Sequence, residues 1–288
     1  MSDFLEQVVA ERRADVARAR ARVSEESLLA RARERAPDGR SSGYAVGDAR
    51  GWGDRFTVAL RILNGRLGVI AEVKRRSPAL GTLSLDADPA ALALAYEAAG
   101  ATAVSVLTEP RHWGGSLEDL VAVSEAVRIP VLCKDVIVDE YQIVQARAAG
   151  ADAVLLIAEA LTDEELHGFI ARANTLGLGV LVEAHEPVAF GRAVAAGTMV
   201  VGVNARNLRR PSEIDVGRVR QLHTFARAGQ ILVAESGIAS LDDARLLPAR
   251  VDAVLVGTAL MRSDDPVPLI KGIAAIRRSA TRTVTVRP

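Results

Sequence analysis

The chain has 288 residues, of which 49% are hydrophobic, enough to bury a substantial core and too apolar for a disordered chain. Lys plus Arg equals Asp plus Glu at 36 each, so no net positive field points to nucleic acid or a membrane surface as a partner. One cysteine rules out an internal disulfide framework, and the sequence carries neither a bilayer-spanning apolar run nor a signal-peptide core; together these features predict a cytoplasmic protein.

Residues 3–35 read as one or two helices rich in Arg, Ala and Glu. In AERRADVARARARV (10–23) acids and apolar residues are interspersed with the arginines, which predicts a solvated amphipathic helix rather than a nucleic-acid arm. Residues 37–55 (PDGRSSGYAVGDARGWGDR) form a Gly-rich loop long enough to cover a substrate. The first strand is GVIAEV (68–73). The helix DPAALALAYEAAG (88–100) leads into the strand of EAAGATAVSVL (97–107). That plan of helix, Ala-Ala-Gly and short β-rich run returns in ARAAGADAVLLI (146–157) and AVAAGTMVVGV (193–203), the glycine supplying the left-handed residue at which helices often end. LPARVDAVLVG (247–257) repeats it with Arg250 in place of the glycine. IPVLCK (129–134), GVLVEA (179–184) and QILVAES (230–236) complete eight strand candidates. TDEELHGFIARANTLG (162–177) opens with Thr162 three residues before Glu165, a capping-box signature.

Near-continuous apolar strands alternating with helices predict a parallel sheet covered on its faces. Eight such units predict an α/β fold closed into a (β/α)8 TIM barrel with an N-terminal helical extension: one domain over 1–288, with 1–60 as helices and loop. An open doubly wound sheet is the alternative, and no Gly-rich dinucleotide fingerprint follows the first strand to favour it. The polar tail from Ser279 is expected to fray.

Active sites of closed α/β barrels form where strands end, so those positions carry the chemical argument. Of 36 basic residues only Lys74, Lys134 and Lys271 are lysines, and the first two end strands. Lysine, unlike arginine, is able to give up a proton. Strand one ends in Glu72-Val73-Lys74, whose alternation points the acid and the lysine inward together. The third, fifth and sixth strands end at Lys134, Glu183 and Asn204, with Arg206 two residues on; the seventh ends in Glu235-Ser236-Gly237 and the eighth in Gly257-Thr258. Charges converging there are desolvated and coupled, the condition under which proton-transfer groups acquire useful pKa values. The glycine turns at Ser236-Gly237 and Gly257-Thr258, each leading into a helix start, favour a bound phosphate, and Glu235 is placed with the substrate-binding residues. His112, His167, His185 and His223 are scattered without metal-ligand spacing, so neither a metal nor a cofactor is expected. Cys133 reads as core, and Trp52, Trp113 and Phe56 fall in loops, where they stack on an aromatic substrate or simply pack.

At these residues the sequence resembles the indole-3-glycerol phosphate synthase family of tryptophan biosynthesis. The resemblance is carried by AEVKRRSPALG (71–81), SVLTEPRHWGGSLEDL (105–120), PVLCKDVIVDEYQI (130–143), LVEAH (181–185), GVNARNL (202–208), AESGI (234–238) and VLVGTALM (254–261). It implies a decarboxylating ring closure of a carboxyphenylamino-deoxyribulose phosphate to the indole, with loss of carbon dioxide and water. By that resemblance Lys134 matches the general acid that protonates the ketone oxygen as the aromatic ring attacks, and Glu183 a residue of the later proton transfer. Glu72 and Lys74 match a paired acid and lysine, while Asn204 and Ser236 match groups that position the intermediate. Ser77, Arg206, Gly237, Gly257 and Thr258 match positions around the substrate carboxylate and phosphate. Two departures stand out: Val136 where the family usually carries an aromatic residue, and NLRRPSEID after Arg206 where it usually has an acid and a shorter loop. A related sugar-phosphate isomerase would explain the phosphate loops but not Lys134 with Glu72 and Lys74. A non-catalytic barrel subunit docking through its N-terminal helices would have no need to bury acids and lysines. A monomer is favoured.

Overall fold

The computed structural model describes residues 3–35, 54–84 and 87–278. Most of the 37–55 loop, including Trp52, and the tail from Ser279 lie outside the described residues. Eight parallel strands close into a barrel: β1 (Gly68–Val73), β2 (Ala103–Leu107), β3 (Val131–Lys134), β4 (Ala153–Ile157), β5 (Gly179–Ala184), β6 (Val200–Asn204), β7 (Ile231–Glu235) and β8 (Ala253–Val256). Each pairs with its sequence neighbours, and β8 closes onto β1 with Gly68 opposite Ala253 and Ala71 opposite Val256. Every strand is buried except for a part-exposed Lys134 at the end of β3. Helices on one face and the barrel interior on the other leave no wet side, which is why these runs are continuously apolar rather than alternating.

The helices between the strands form where the repeats predicted. After the helices Pro89–Ala98 and Glu140–Ala148, Gly100 and Gly150 adopt φ of +94° and +92°. The next amides, of Ala101 and Ala151, reach back to the carbonyls of Tyr96 and Ala146 at 3.0 Å. This closure satisfies helix-end carbonyls and needs a residue that tolerates the left-handed region. Thr162 and Glu165 form the expected capping box of the helix Asp163–Thr175. The fourth repeat differs: its helix is only Leu241–Arg245, and Pro248, unable to donate a backbone hydrogen bond, carries the chain to β8.

Two departures from the sequence reading concern the amino-terminal segment. Phe56 lies not in a loop but in a short helix (Arg55–Arg61) whose Phe56 and Leu60, 0% and 2% exposed, join the apolar interior of the barrel with Ile70 and Leu181. The predicted solvated helices are α1 (Phe4–Arg22) and α2 (Glu25–Glu34), and both are docked. In α1, Leu5, Val8, Arg12 and Val16 recur at helical spacing and form the buried face. The Arg12 guanidinium makes a bidentate pair with Asp135 at 2.9 and 2.8 Å, and Thr108 Oγ1 donates to the same carboxylate at 2.8 Å. Tyr141, fully buried beside α2, donates its hydroxyl to Val23 O at 2.7 Å. Among the described residues no helix is long and apolar enough to cross a membrane.

Breaking a buried pair by deleting one partner leaves an uncompensated charge and costs about 3–5 kcal/mol. Arg12→Met is therefore expected to lower the unfolding free energy by that much, read as a lower urea midpoint at unchanged m-value. A change below about 1 kcal/mol, the range of solvated surface pairs, would show that α1 is not anchored through Asp135.

Candidate active site

Inside a closed eight-stranded barrel, alternate strands contribute the four side chains of each layer. Here the layer at the carboxyl end is Glu72, Lys134, Glu183 and Glu235, from β1, β3, β5 and β7. Two residues earlier on the same strands stand Ile70, Leu132, Leu181 and Val233, all buried in one apolar cluster. The charged layer thus rests on a dry one. Room for it comes from a glycine on β6 and another just past the end of β8. A Cβ on Gly202 would lie 2.1 Å from Glu235 Oε1, and one on Gly257 would lie 1.9 Å from Glu72 Oε1. Neither position admits even alanine without displacing a carboxyl group.

Lys134 Nζ is 3.0 Å from Glu235, 3.4 Å from Glu183 and 3.9 Å from Glu72. Glu72 is also paired with Lys74, and Asn204 Nδ2 donates to Glu183 at 3.3 Å. Burial alone would favour neutral Lys134, but Glu183, Glu235 and Glu72 outweigh it and hold the ammonium charged well above the usual lysine range. Burial likewise works to raise Glu72, yet Lys74 and Lys134 bring it below the ordinary carboxylate value. Glu235 goes the other way: burial and then Glu183 push it up more than Lys134 pulls it down. Burial lowers Arg206 against the opposing pull of Glu72. Coupling to the carboxyl groups, rather than burial, thus sets the direction for Lys134, toward the charged form.

A cavity of about 320 Å³ opens above this layer. It is bordered by ten of the sequence-predicted site residues: Glu72, Lys74, Lys134, Glu183, Asn204, Arg206, Ser236, Gly237, Gly257 and Thr258. Two others do not border it. Glu235, ion-paired with Lys134, is 1% exposed, and Ser77 is buried in a two-residue antiparallel ribbon (Arg76–Ser77 against Gly81–Thr82). At one corner Ser236 and Gly237 take consecutive left-handed conformations, φ +64° and +73°, beside Gly257 and Arg262. A non-glycine residue held there is strained, which is common where backbone is shaped around a ligand. The opposite wall is apolar: Leu107, Val136, Leu155, Ile157 and Leu208, with Phe4 and Leu5 from α1. Trp113 belongs to this wall, its ring 6.0 Å from that of Phe4.

Several contributors escaped sequence reasoning. The buried Glu109 carboxylate gathers the amides of Arg111, His112 and Trp113 at 3.0, 2.6 and 3.0 Å and so shapes the loop that carries Trp113. That loop is tied to α1 by His112 to Glu11 at 2.6 Å and Arg111 to Asp15 at 2.7 Å. The 207–215 segment folds back on itself, Asn207 Nδ2 donating to Glu213 at 3.2 Å, and it meets α1 through Phe4 N to Arg209 O at 3.1 Å. Only the bare residue types were visible beforehand; the partners of Arg111 and His112 lie 96 and 101 residues away in sequence. Cys133 is buried below the site, its thiol pushed up to about 12 by burial and Asp135. Among the described residues no cluster of His, Cys, Asp and Glu has the makings of a metal site.

Comparison with known proteins gives a consistent result. A family model described as indole-3-glycerol phosphate synthase matches residues 5–273. The indole-3-glycerol phosphate synthase of Parafrankia sp. (strain EAN1pec) is 51% identical over 210 residues, 72% of this chain and 78% of that protein. Indole-3-glycerol phosphate synthase 1 of Streptomyces coelicolor is 43% identical over 272 residues, 94% of each. Among solved structures, tryptophan synthase subunit alpha from Legionella pneumophila str. Paris superposes with a TM-score of 0.56 at 15% identity, covering 77% of this chain and 97% of that one. A 3-hexulose-6-phosphate synthase gives 0.58 at 17%, covering 73% and 99%. Likeness at that identity concerns the fold alone.

Two measurements check the site's geometry. Gly257→Ala is expected to cost about 1–3 kcal/mol by overpacking, and much less in a Glu72→Ala background, where the obstructing carboxylate is gone. Equal costs in both backgrounds, read from urea unfolding, would place the obstruction elsewhere. The Cys133 thiol should resist iodoacetamide at pH 8 in the native protein and react once unfolded. Its folded pKa of about 12 exceeds the ordinary 9.0, so its contribution to stability is complete below pH 9 and is lost as pH rises toward 12. Rapid native labelling would contradict that burial.

Proposed function

The chain belongs to the indole-3-glycerol phosphate synthase family, and from that membership and the geometry of its barrel mouth we infer how it closes an indole ring. The activity is that of a decarboxylating carbon–carbon lyase of tryptophan biosynthesis. Its substrate is 1-(2-carboxyphenylamino)-1-deoxyribulose 5-phosphate, and the products are the indole, carbon dioxide and water. We place the reaction in the cytoplasm, in a single barrel domain that includes the N-terminal helices.

The phosphate sits in the corner of Ser236, Gly237, Gly257 and Thr258, where glycine turns lead into helix starts and Arg262 adds a cation. The aromatic ring lies against Leu107, Val136, Leu155 and Trp113, and the ketone is held over Lys134. The ring carbon that carries the carboxylate attacks the ketone carbon while Lys134 gives its proton to the ketone oxygen. Carbon dioxide then leaves, the new hydroxyl departs as water, and Glu183 serves the proton transfer that restores aromaticity. Lys74 and Arg206 face the substrate carboxylate, and Asn204 keeps Glu183 aimed at the cavity. An apolar wall helps, because a carboxylate stripped of water loses carbon dioxide more readily.

The single observation that carries this reading is an ammonium at the cavity floor set 3.0, 3.4 and 3.9 Å from the carboxyl groups of Glu235, Glu183 and Glu72. Such a donor does not acidify a resting ketone. It does protonate the far stronger base, an alkoxide, that develops as the carbon–carbon bond forms, and transition-state charge is where catalytic power is gained.

Purified protein mixed with the substrate should develop indole fluorescence without added metal or nucleotide. Lys134→Ala should lower kcat by about 10²–10⁴-fold or more with the far-ultraviolet circular dichroism unchanged. Lys134→Arg should not rescue it, since a guanidinium does not surrender a proton. Turnover that survives Lys134→Ala would remove the general acid from this account.

A further inference from the structure

Three buried carboxyl groups, Glu72, Glu183 and Glu235, have only two cations within ion-pairing distance, the ammonium groups of Lys74 and Lys134; Arg206 acts on Glu72 from farther off and makes no ion pair with Glu183 or Glu235 among the described residues. Glu235 is the most deeply placed of the three. It does not border the cavity, and its Oε1 has no hydrogen-bond partner among the described residues, lying instead against the Gly202 backbone. An ionised oxygen in that place would lack any donor, a costly arrangement in a dry interior. The groups that face Glu235 are Glu183 on β5, which shares Lys134 Nζ with it at 3.4 and 3.0 Å, Lys134 on β3 and, beyond Lys134, Glu72 on β1; the even strands flanking it contribute Asn204, Gly202 and Leu255, which carry no charge.

We propose that Glu235 is the neutral member of the layer, a buried carboxylic acid that donates its proton to the Glu183 carboxylate and so positions Glu183 as an ionised base beside a charged Lys134. Two carboxyl groups sharing one proton in a dry site cannot both ionise, and burial together with Glu183 raises Glu235 accordingly. Glu235 is thus a positioning residue and not a contact of the substrate. With that proton in place each remaining carboxylate has an ammonium in reach, Glu72 that of Lys74 and Glu183 that of Lys134. The roles of Lys134 and Glu183 rest on the function inferred above; the protonation state of Glu235 does not.

Difference infrared spectra of wild type minus E235Q, in H2O and D2O at neutral pH, test the proton directly. A carbonyl band of a protonated carboxyl, above the amide and carboxylate bands and shifting down in D2O, is expected in the wild type alone. Loss of carboxylate bands only, without that carbonyl, would overturn the proposal. Kinetics supply a second reading. E235A removes a hydrogen bond to a charged group and should lower kcat about 10- to 100-fold, with KM little changed. E235Q, which keeps an uncharged donor, should recover most of that loss. Should E235Q be as damaging as E235A, charge at Glu235 would matter and the proposal would fail. A protonated band in a protein that does not turn over the substrate would overturn the reaction while supporting the proton. Turnover without the band would do the reverse.

Discussion

The ammonium of Lys134, held among carboxyl groups on an apolar floor, is the constraint on which the rest of the molecule depends. A barrel interior is normally filled with branched aliphatic side chains, and two residues below Lys134 it is. Replacing one layer by four ionisable groups is tolerable only if each finds a partner and if space is left for their bulk. The first condition is met by mutual pairing and the second by Gly202 on β6 and Gly257 just past the end of β8. Seen this way, two glycines that look like sheet-weakening residues are what permits the chemistry.

The same constraint explains why the amino-terminal helix matters. Asp135 follows Lys134 directly, and its carboxylate is clamped by Arg12 from α1 and Thr108 from the end of β2. The strand end that presents Lys134 is therefore fixed from outside the barrel. Phe4 and Leu5 of the same helix complete the apolar wall of the cavity. Charge on the floor, oily wall at one side and glycine turns at the other match a substrate that is aromatic at one end and phosphorylated at the other. In the reaction proposed for it, a lysine held in its charged form would give up its proton only once attack on the ketone has created a base strong enough to take it.

The barrel was legible because its signals are periodic and local: apolar runs of strand length, helix ends at Gly100 and Gly150, and inward alternation at Glu72 and Lys74. The strand-end rule placed Lys134 and Glu183 at one mouth without knowledge of any contact. What stayed hidden depends on partners distant in sequence. Arg12 reads as one arginine among many until Asp135, 123 residues away, is set against it. Phe56 reads as loop because its helix is short and its burial comes wholly from the barrel bottom. Glu235 was placed against the substrate because its strand end was known but not its depth. That charges converge and couple at the mouth was legible; which way the balance tips Lys134 depends on its distances of 3.0, 3.4 and 3.9 Å to Glu235, Glu183 and Glu72, which only the fold supplies.

Because the chain has only three lysines, its central claim is open to direct measurement. Lysine labelled with carbon-13 at the ε position gives three signals that can be followed against pH by nuclear magnetic resonance, with Lys134→Met identifying one. The account predicts that the Lys134 signal shows no deprotonation through the ordinary lysine value of 10.5 and titrates, if at all, only above it. A Lys134 signal that titrates below that value would mean that burial dominates its carboxylate neighbours, and would contradict the loaded-donor account.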